Sequence, residues 1–180
     1  METDTTPQQH RARATGPVPA FYDPRTYRPE ESVGYLMRQI LDRVADAVED
    51  ELEPEGLTNS QWLPLVKMLM GSNMTVAELA RQCRLDVGGM TRMLDRLEAK
   101  GLVRRERSQT DRRVVNLALT PEGRERAQKI PAVLCGVQNN HLRGFSKDEW
   151  ELLRGLLRRI LDNAVQIRAE RDQAAQGQER

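Results

Sequence analysis

Between residues 81 and 113 the chain carries ten cations: Arg81, Arg84, Arg92, Arg96, Lys100, Arg104, Arg105, Arg107, Arg112 and Arg113. Five anions, Asp86, Asp95, Glu98, Glu106 and Asp111, share that stretch and leave it a local charge of +5. Such an excess suits phosphate binding, because each cation that meets a nucleic-acid backbone releases condensed counterions. A solvated helix face has the same charge, so spacing has to decide between the two. Residues 30–56 hold nine acids against Arg38 and Arg43, a local charge of −7, while the whole chain is only +1. A polycation that coats nucleic acid or anionic membrane by bulk charge is therefore excluded.

Catalytic and metal chemistry find little to work with. The chain has two cysteines, Cys83 and Cys135, and two histidines, His10 and His141. They cannot form a disulfide framework, and no tetrahedral metal site has a clear ligand set among them. No Gly-rich phosphate loop and no Ser/His/Asp set is visible, so no catalytic residue, no metal, no cofactor and no enzyme activity is expected. Cys83 stands near Arg81 and Arg84, where a thiolate sensor is one reading and a small buried hydrophobe another; Cys135 has no thiolate-stabilising neighbours. Charged residues make up 31% and aromatics 4%, which suits a helix-rich protein better than a β-sandwich. No apolar run approaches the roughly 18 residues needed to span a bilayer. The opening METDTTPQQHRARATGPVPA lacks the apolar centre of a secretory signal. The expectation is a cytoplasmic protein with no membrane partner.

Positioning the basic stretch falls to helices. Val33, Leu36, Met37, Ile40, Leu41, Val44 and Val48 recur at three and four, predicting a helix that Pro54 and Gly56 stop. Thr58 with Gln61 marks a capping box and a second helix ending at Gly71, which Pro64 is expected to bend or loosen. Thr75 with Glu78 opens a short third helix. After a break at Arg84-Leu85, Asp86 is placed to cap a fourth, which buries Met90, Met93, Leu94 and Leu97 and ends at Gly101. The pattern then shifts to strands, one from Leu102-Val103 and one over residues 114–119, joined by a basic turn. Thr120-Pro121-Glu122 caps a helix to about Leu142, with an interruption or a bend expected at Pro131 and Gly136. Ser146 with Glu149 opens the last helix, whose stripe runs through Leu152, Leu156, Ile160 and Val165. Proline-rich residues 1–30 are expected to form a flexible arm, with Phe21, Tyr22 and Tyr27 available to anchor it on a neighbouring surface, and 168–180 a disordered tail.

Two short helices across a tight break, followed by a hairpin, describe a winged helix-turn-helix: mainly α with a small β-hairpin wing (α+β). The first helix would brace the second, and the second would enter a DNA major groove. AELA, TRMLDRLEAKGLV, Asp111-Arg112-Arg113 and the LALTPEG junction resemble the MarR (multiple antibiotic resistance repressor) family over about residues 58–123. The order and length of the flanking helices extend that likeness to about 31–167. The resemblance implies a DNA-binding core over 75–119 and an obligate homodimer, with the helices of 31–56 and 121–167 interlocking with the partner's. The periodicity agrees, since these stripes have too little chain to cover them all within one subunit; an ordinary intrachain core is the other reading. A two-fold dimer reaches half-sites about 34–36 Å apart, so its double-stranded DNA operator should be a near-palindrome. The function implied is a DNA-binding transcriptional regulator, most often a repressor.

Val87, Gly88, Gly89, Thr91 and Arg92 would lie at the reading end of the fourth helix. Arg92 is suited to a bidentate contact with guanine or to a phosphate clamp, and Thr91 to a base edge or a phosphate. Gly88 and Gly89 depart from the larger polar residues common in the family; they would admit the backbone close to DNA or lower specificity. Arg96 and Lys100 are phosphate candidates, with surface ion pairs to Asp95 or Glu98 as the alternative. Arg104, Arg105 and Arg107 alternate along a strand, so one face of that set can meet DNA. Thr75 would offer hydroxyl and backbone N–H to phosphate. Carried over from the family, Arg113 enters the minor groove, Asp111 orients it or braces the turn, and Arg112 meets phosphate. Family members commonly sense a small aromatic acid or phenol in a crevice beside the winged domain. Tyr35, Arg38, Trp62 and Met68 are lining candidates here, with Trp62 and Met68 alternatively plain core. A cysteine-based redox sensor and a winged-helix module that binds protein are the alternatives to a ligand-responsive regulator.

Overall fold

Side chains that cap helix starts set most of the element boundaries. The computed structural model describes residues 17–71, 74–107 and 115–178. Helix α1 (Val33–Leu52) begins at Ser32, whose hydroxyl accepts from the Tyr35 N–H, and it leads through a 3-10 turn (Glu53–Glu55) into left-handed Gly56. Helix α2 (Asn59–Met70) starts where the Thr58 N–H donates to Gln61 Oε1 at 3.1 Å. Strand β1 (Met74–Thr75) runs straight into α3 (Val76–Cys83). Helix α4 (Val87–Ala99) is capped by Asp86, and Gly101 follows it with φ +70°. Strands β2 (Val103–Arg107) and β3 (Val115–Leu119) precede α5 (Pro121–His141) and α6 (Lys147–Gln178).

The described residues fall into two compact units. One spans Pro29–Arg143; the other takes in the chain from Gly144 onward together with the residues before Pro29. In the larger unit the three strands form an antiparallel sheet in the order β1-β3-β2, with Met74 opposite Leu117 and Val103 opposite Leu119. Sequence periodicity does not predict β1: two residues carry no period, and their partners, Leu117 and Asn116, lie far along the chain. The core draws Leu52 from α1, Leu65 from α2, Leu79 from α3, Met90, Leu94 and Leu97 from α4, and Ile130 from α5, all fully buried. Burying each such side chain contributes about 1.5–3 kcal/mol.

The root of the hairpin is held at one close contact. Thr120 accepts from the Gly123 N–H and donates its own hydroxyl to the Gly101 carbonyl, while its N–H reaches the Leu102 carbonyl. A Cβ on Gly123 would fall 1.8 Å from that Leu102 oxygen. No side chain fits there, which is the physical content of the LTPEG junction.

Three expectations change. Pro64 does not loosen the start of α2, which is continuous from Asn59 to Met70: its ring is fully buried in the core, and that burial offsets the missing N–H. α5 likewise runs unbroken past Pro131 and Gly136, because Ala127 and Ile130 on one side and Val137 on the other are fastened into the same core. The expected disordered tail is helical as far as Gln178, with i,i+4 pairs Gln166–Glu170 and Arg168–Asp172 along its last turns. Of the expected arm, residues 1–16 lie outside the described residues. Residues 17–28 hold a local turn in which the Arg25 N–H and guanidinium grip Asp23, and Tyr22 and Tyr27 meet edge to face at 5.9 Å, leaving Phe21 85% exposed. Among the described residues no helix is long and apolar enough to cross a membrane.

Candidate nucleic-acid interface

The turn between α3 and α4 is made by Arg84, in the left-handed conformation at φ 55°, with its N–H on the Ala80 and Arg81 carbonyls. The Leu85 N–H also returns to Ala80 O, at 3.0 Å. Two residues later Asp86 accepts from the Gly89 N–H at 2.7 Å and starts α4. That bond, with a smaller contribution from the Arg92 charge, holds the Asp86 carboxyl below its ordinary value. α4 is two-sided. Met90, Met93, Leu94 and Leu97 are sealed against the core, and Val87, Gly88, Thr91, Arg92 and Arg96 face solvent.

The two glycines have structural neighbours. A Cβ on Gly89 would stand 2.9 Å from Asp86 Oδ2, and one on Gly88 would stand 3.2 Å from Asp86 Oδ1 and 3.6 Å from the Arg92 guanidinium. The first turn is thus bare enough for the cap carboxylate and for Arg92 to lie across it. Thr91 donates its hydroxyl to the Val87 carbonyl at 2.8 Å, and Arg96 Nε reaches the Arg92 carbonyl at 3.2 Å.

Several cations counted as phosphate candidates are engaged internally. Lys100 Nζ donates to the Gly56 carbonyl at 2.7 Å and to Gln61 Oε1 at 3.0 Å, tying the end of α4 to the α1–α2 elbow. Its partners are neither Asp95 nor Glu98, which instead take the Arg105 guanidinium of β2. Arg104 pairs with Glu106 on the other face of that strand, at 2.6 Å. Thr75 is also committed elsewhere: its N–H and hydroxyl both donate to Glu78 Oε2, and those bonds keep the Glu78 carboxyl below its ordinary value, so an anion rather than a phosphate donor stands at that helix start. Asp111, Arg112 and Arg113 lie outside the described residues.

The elbow fastening has no local sequence signal. Arg126 of α5 donates to the Glu55 carbonyl and Lys129 pairs with Glu55 at 3.1 Å, so adjacent carbonyls, Glu55 and Gly56, are held from α5 and α4. Beside this elbow a cleft of about 380 Å³ is lined by Glu49, Asp50, Glu53, Gly56, Leu57 and Thr58. It includes none of the four effector candidates, and its carboxylates mismatch an aryl acid. Met68 is core, and Trp62 packs against that core with its indole N–H on Asn59 at 3.1 Å; Tyr35 and Arg38 lie exposed on α1, with Arg38 4.0 Å from Asp42. Burial pushes the half-buried Cys83 thiol up, against thiolate formation, while Cys135 is exposed. Among the described residues no cluster of His, Cys, Asp and Glu is placed to hold a metal ion.

Known proteins share this arrangement. The sequence profile described as the MarR family matches residues 57–115. An organic hydroperoxide resistance transcriptional regulator of Bacillus subtilis is 36% identical over 89 residues, 48% of this chain, and the match spans 60% of that relative's length. The crystal structure of transcriptional regulator PA3341 superposes with a TM-score of 0.65 at 31% identity, covering 75% of this chain and 99% of that one. The MepR–DNA complex of S. aureus has the same fold, with a TM-score of 0.68 at 22% identity over 73% of this chain and 98% of that one. With a profile centred on the helix-turn-helix and a 31%-identical structure matched along its whole length, the chain belongs to the MarR family of winged-helix, DNA-binding transcriptional regulators.

Proposed function

We propose that this protein is a homodimeric, sequence-specific repressor that binds a near-palindromic operator and releases it when a small aromatic or phenolic ligand binds. The observation that carries the reading is the two-sided α4, closed on its methionine and leucine face and open around Val87, Thr91 and Arg92. Such a helix enters a major groove about 12 Å wide without surrendering its packing. Arg92 and Arg96 supply cations beside it, and Arg113 of the hairpin tip reaches the adjacent minor groove, with Asp111 bracing it and Arg112 on phosphate.

Dimerisation is supported by apolar side chains left open on a single chain. Ile40 and Leu41 of α1 are 57% and 65% exposed, and Leu152 and Leu161 of α6 are 63% and 50% exposed. Faces of this kind mark interaction surfaces. Of the effector candidates, Tyr35 and Arg38 are the accessible pair, offering a ring and a cation to an aryl carboxylate. Such a ligand acts by favouring a dimer whose reading helices no longer match the groove spacing.

Gel-shift titration on the intergenic DNA upstream of the protein's own gene tests the reading. Binding with a dissociation constant on the order of 10⁻⁸ M or tighter, salt-sensitive and competed by one palindrome, is expected. Arg113→Ala should weaken it and reduce the salt slope by about one charge. A monomer in sedimentation, or indifference to every duplex at low salt, overturns it.

A further inference from the structure

We infer that Val87 reads the C5-methyl group of a thymine in the major groove, making a thymine part of each half-site. The inference rests on the DNA-reading role of α4 proposed above and names what that helix recognises. A base pair shows four kinds of feature in the major groove: acceptors on guanine, a donor on cytosine, an adjacent acceptor and donor on adenine, and a methyl group on thymine. The reading end of α4 can be taken through them in turn.

Adenine is recognised by a side-chain amide, and the sequence of α4, VGGMTRMLDRLEA, contains none. Cytosine calls for a carboxylate acceptor. Asp86 is bound to the Gly89 N–H, and Asp95 and Glu98 are bound to Arg105. Guanine is served by Arg92, whose guanidinium lies over bare Gly88 in the first turn. The Thr91 hydroxyl hydrogen is turned back onto the Val87 carbonyl. Positions 88 and 89 carry no side chain, so Val87, 54% exposed at the first position of the helix, is the apolar group that stands furthest forward there. Thr91, one turn on, lies on the same face. Two methyl groups on a β-branched stem, held stiffly by the helix, match a thymine methyl and no other feature of a base edge.

Full-length protein is first used to select duplexes from a randomised library, and each thymine of the enriched half-site is then replaced by deoxyuridine, which lacks only the C5-methyl. One such replacement should weaken wild-type binding about fourfold per half-site, the value of one buried methyl-sized group. Val87→Ala, which withdraws two methyl groups, should lose most of that thymine preference and bind the thymine duplex close to the level of wild type on deoxyuridine. Alanine is the better helix former at that exposed position, and an unchanged melting temperature shows that the variant folds. A wild-type protein indifferent to every deoxyuridine, an equal loss in Val87→Ala, or an enriched site without thymine overturns the inference while leaving DNA reading intact. No enrichment of any sequence overturns DNA reading, and this inference falls with it.

Discussion

Helices α4 and α6 carry the same kind of apolar stripe and meet different fates. On α4, Met90, Leu94 and Leu97 are wholly buried, and their period is satisfied within the chain. On α6, Leu156, Leu157, Ile160 and Leu161 keep between 40% and 50% of their surface in contact with solvent. Periodicity marks a face that must be covered; it does not say which chain covers it. The first stripe sets the stability of one polypeptide; in the homodimer proposed above, the second is the face the partner covers.

Substitutions that take the two stripes apart should separate those roles. Leu94→Ala removes a fully buried side chain and should cost about 2–5 kcal/mol in urea unfolding. The cost should be the same at low and high protein concentration. Leu161→Ala should lower the unfolding midpoint mainly at low concentration and raise the dimer dissociation constant. If both losses scale with concentration alike, or neither does, the contrast between the helices fails.

A smaller effect divides α4 within itself. Lys100→Met breaks two bonds to the elbow and should cost about 1 kcal/mol of stability, with the salt slope of DNA binding unchanged. Arg96→Ala should leave stability nearly constant and reduce that slope by about one charge. A reduced slope in Lys100→Met would return that lysine to the phosphates.

The smallest effect concerns the start of the same helix. Asp86 has a lowered native pKa, so its contribution to stability is complete above the ordinary value of 3.8 and fades as pH falls through the lowered native value. Asp86→Ala should lower the melting temperature slightly near neutral pH, with the deficit shrinking in that acid window. A deficit that is constant across the window would show that the carboxylate charge contributes nothing to the cap.

Much of this architecture is written in local signals. Thr58, Thr75, Asp86, Thr120 and Ser146 announce helix starts because each cap needs only neighbours three residues away. Met90, Met93, Leu94 and Leu97 announce the buried face of α4 through their spacing. Signals of the same range fail where the partner is distant. Nothing around Met74 points to Leu117, and nothing around Lys100 points to the Gly56 carbonyl. Pro64 and Pro131 stand inside continuous helices for a related reason: a proline's local cost is visible in sequence, and the packing that outweighs it is not. The exposure of Val87, Thr91 and Arg92 follows from their positions on α4, whereas the partners of Lys100 and Arg105 lie on other elements and carry no local signal.

The contact between Gly123 and the Leu102 carbonyl makes the hairpin a mounted part rather than a free one. Both of its legs leave from a mount shared with α5, so the span from Arg107 to Val115 can be exchanged for that of another regulator as a cassette. If the tip reads DNA as proposed above, retargeting by such swaps should tolerate wide variation in the grafted sequence, provided that Gly123 is left alone.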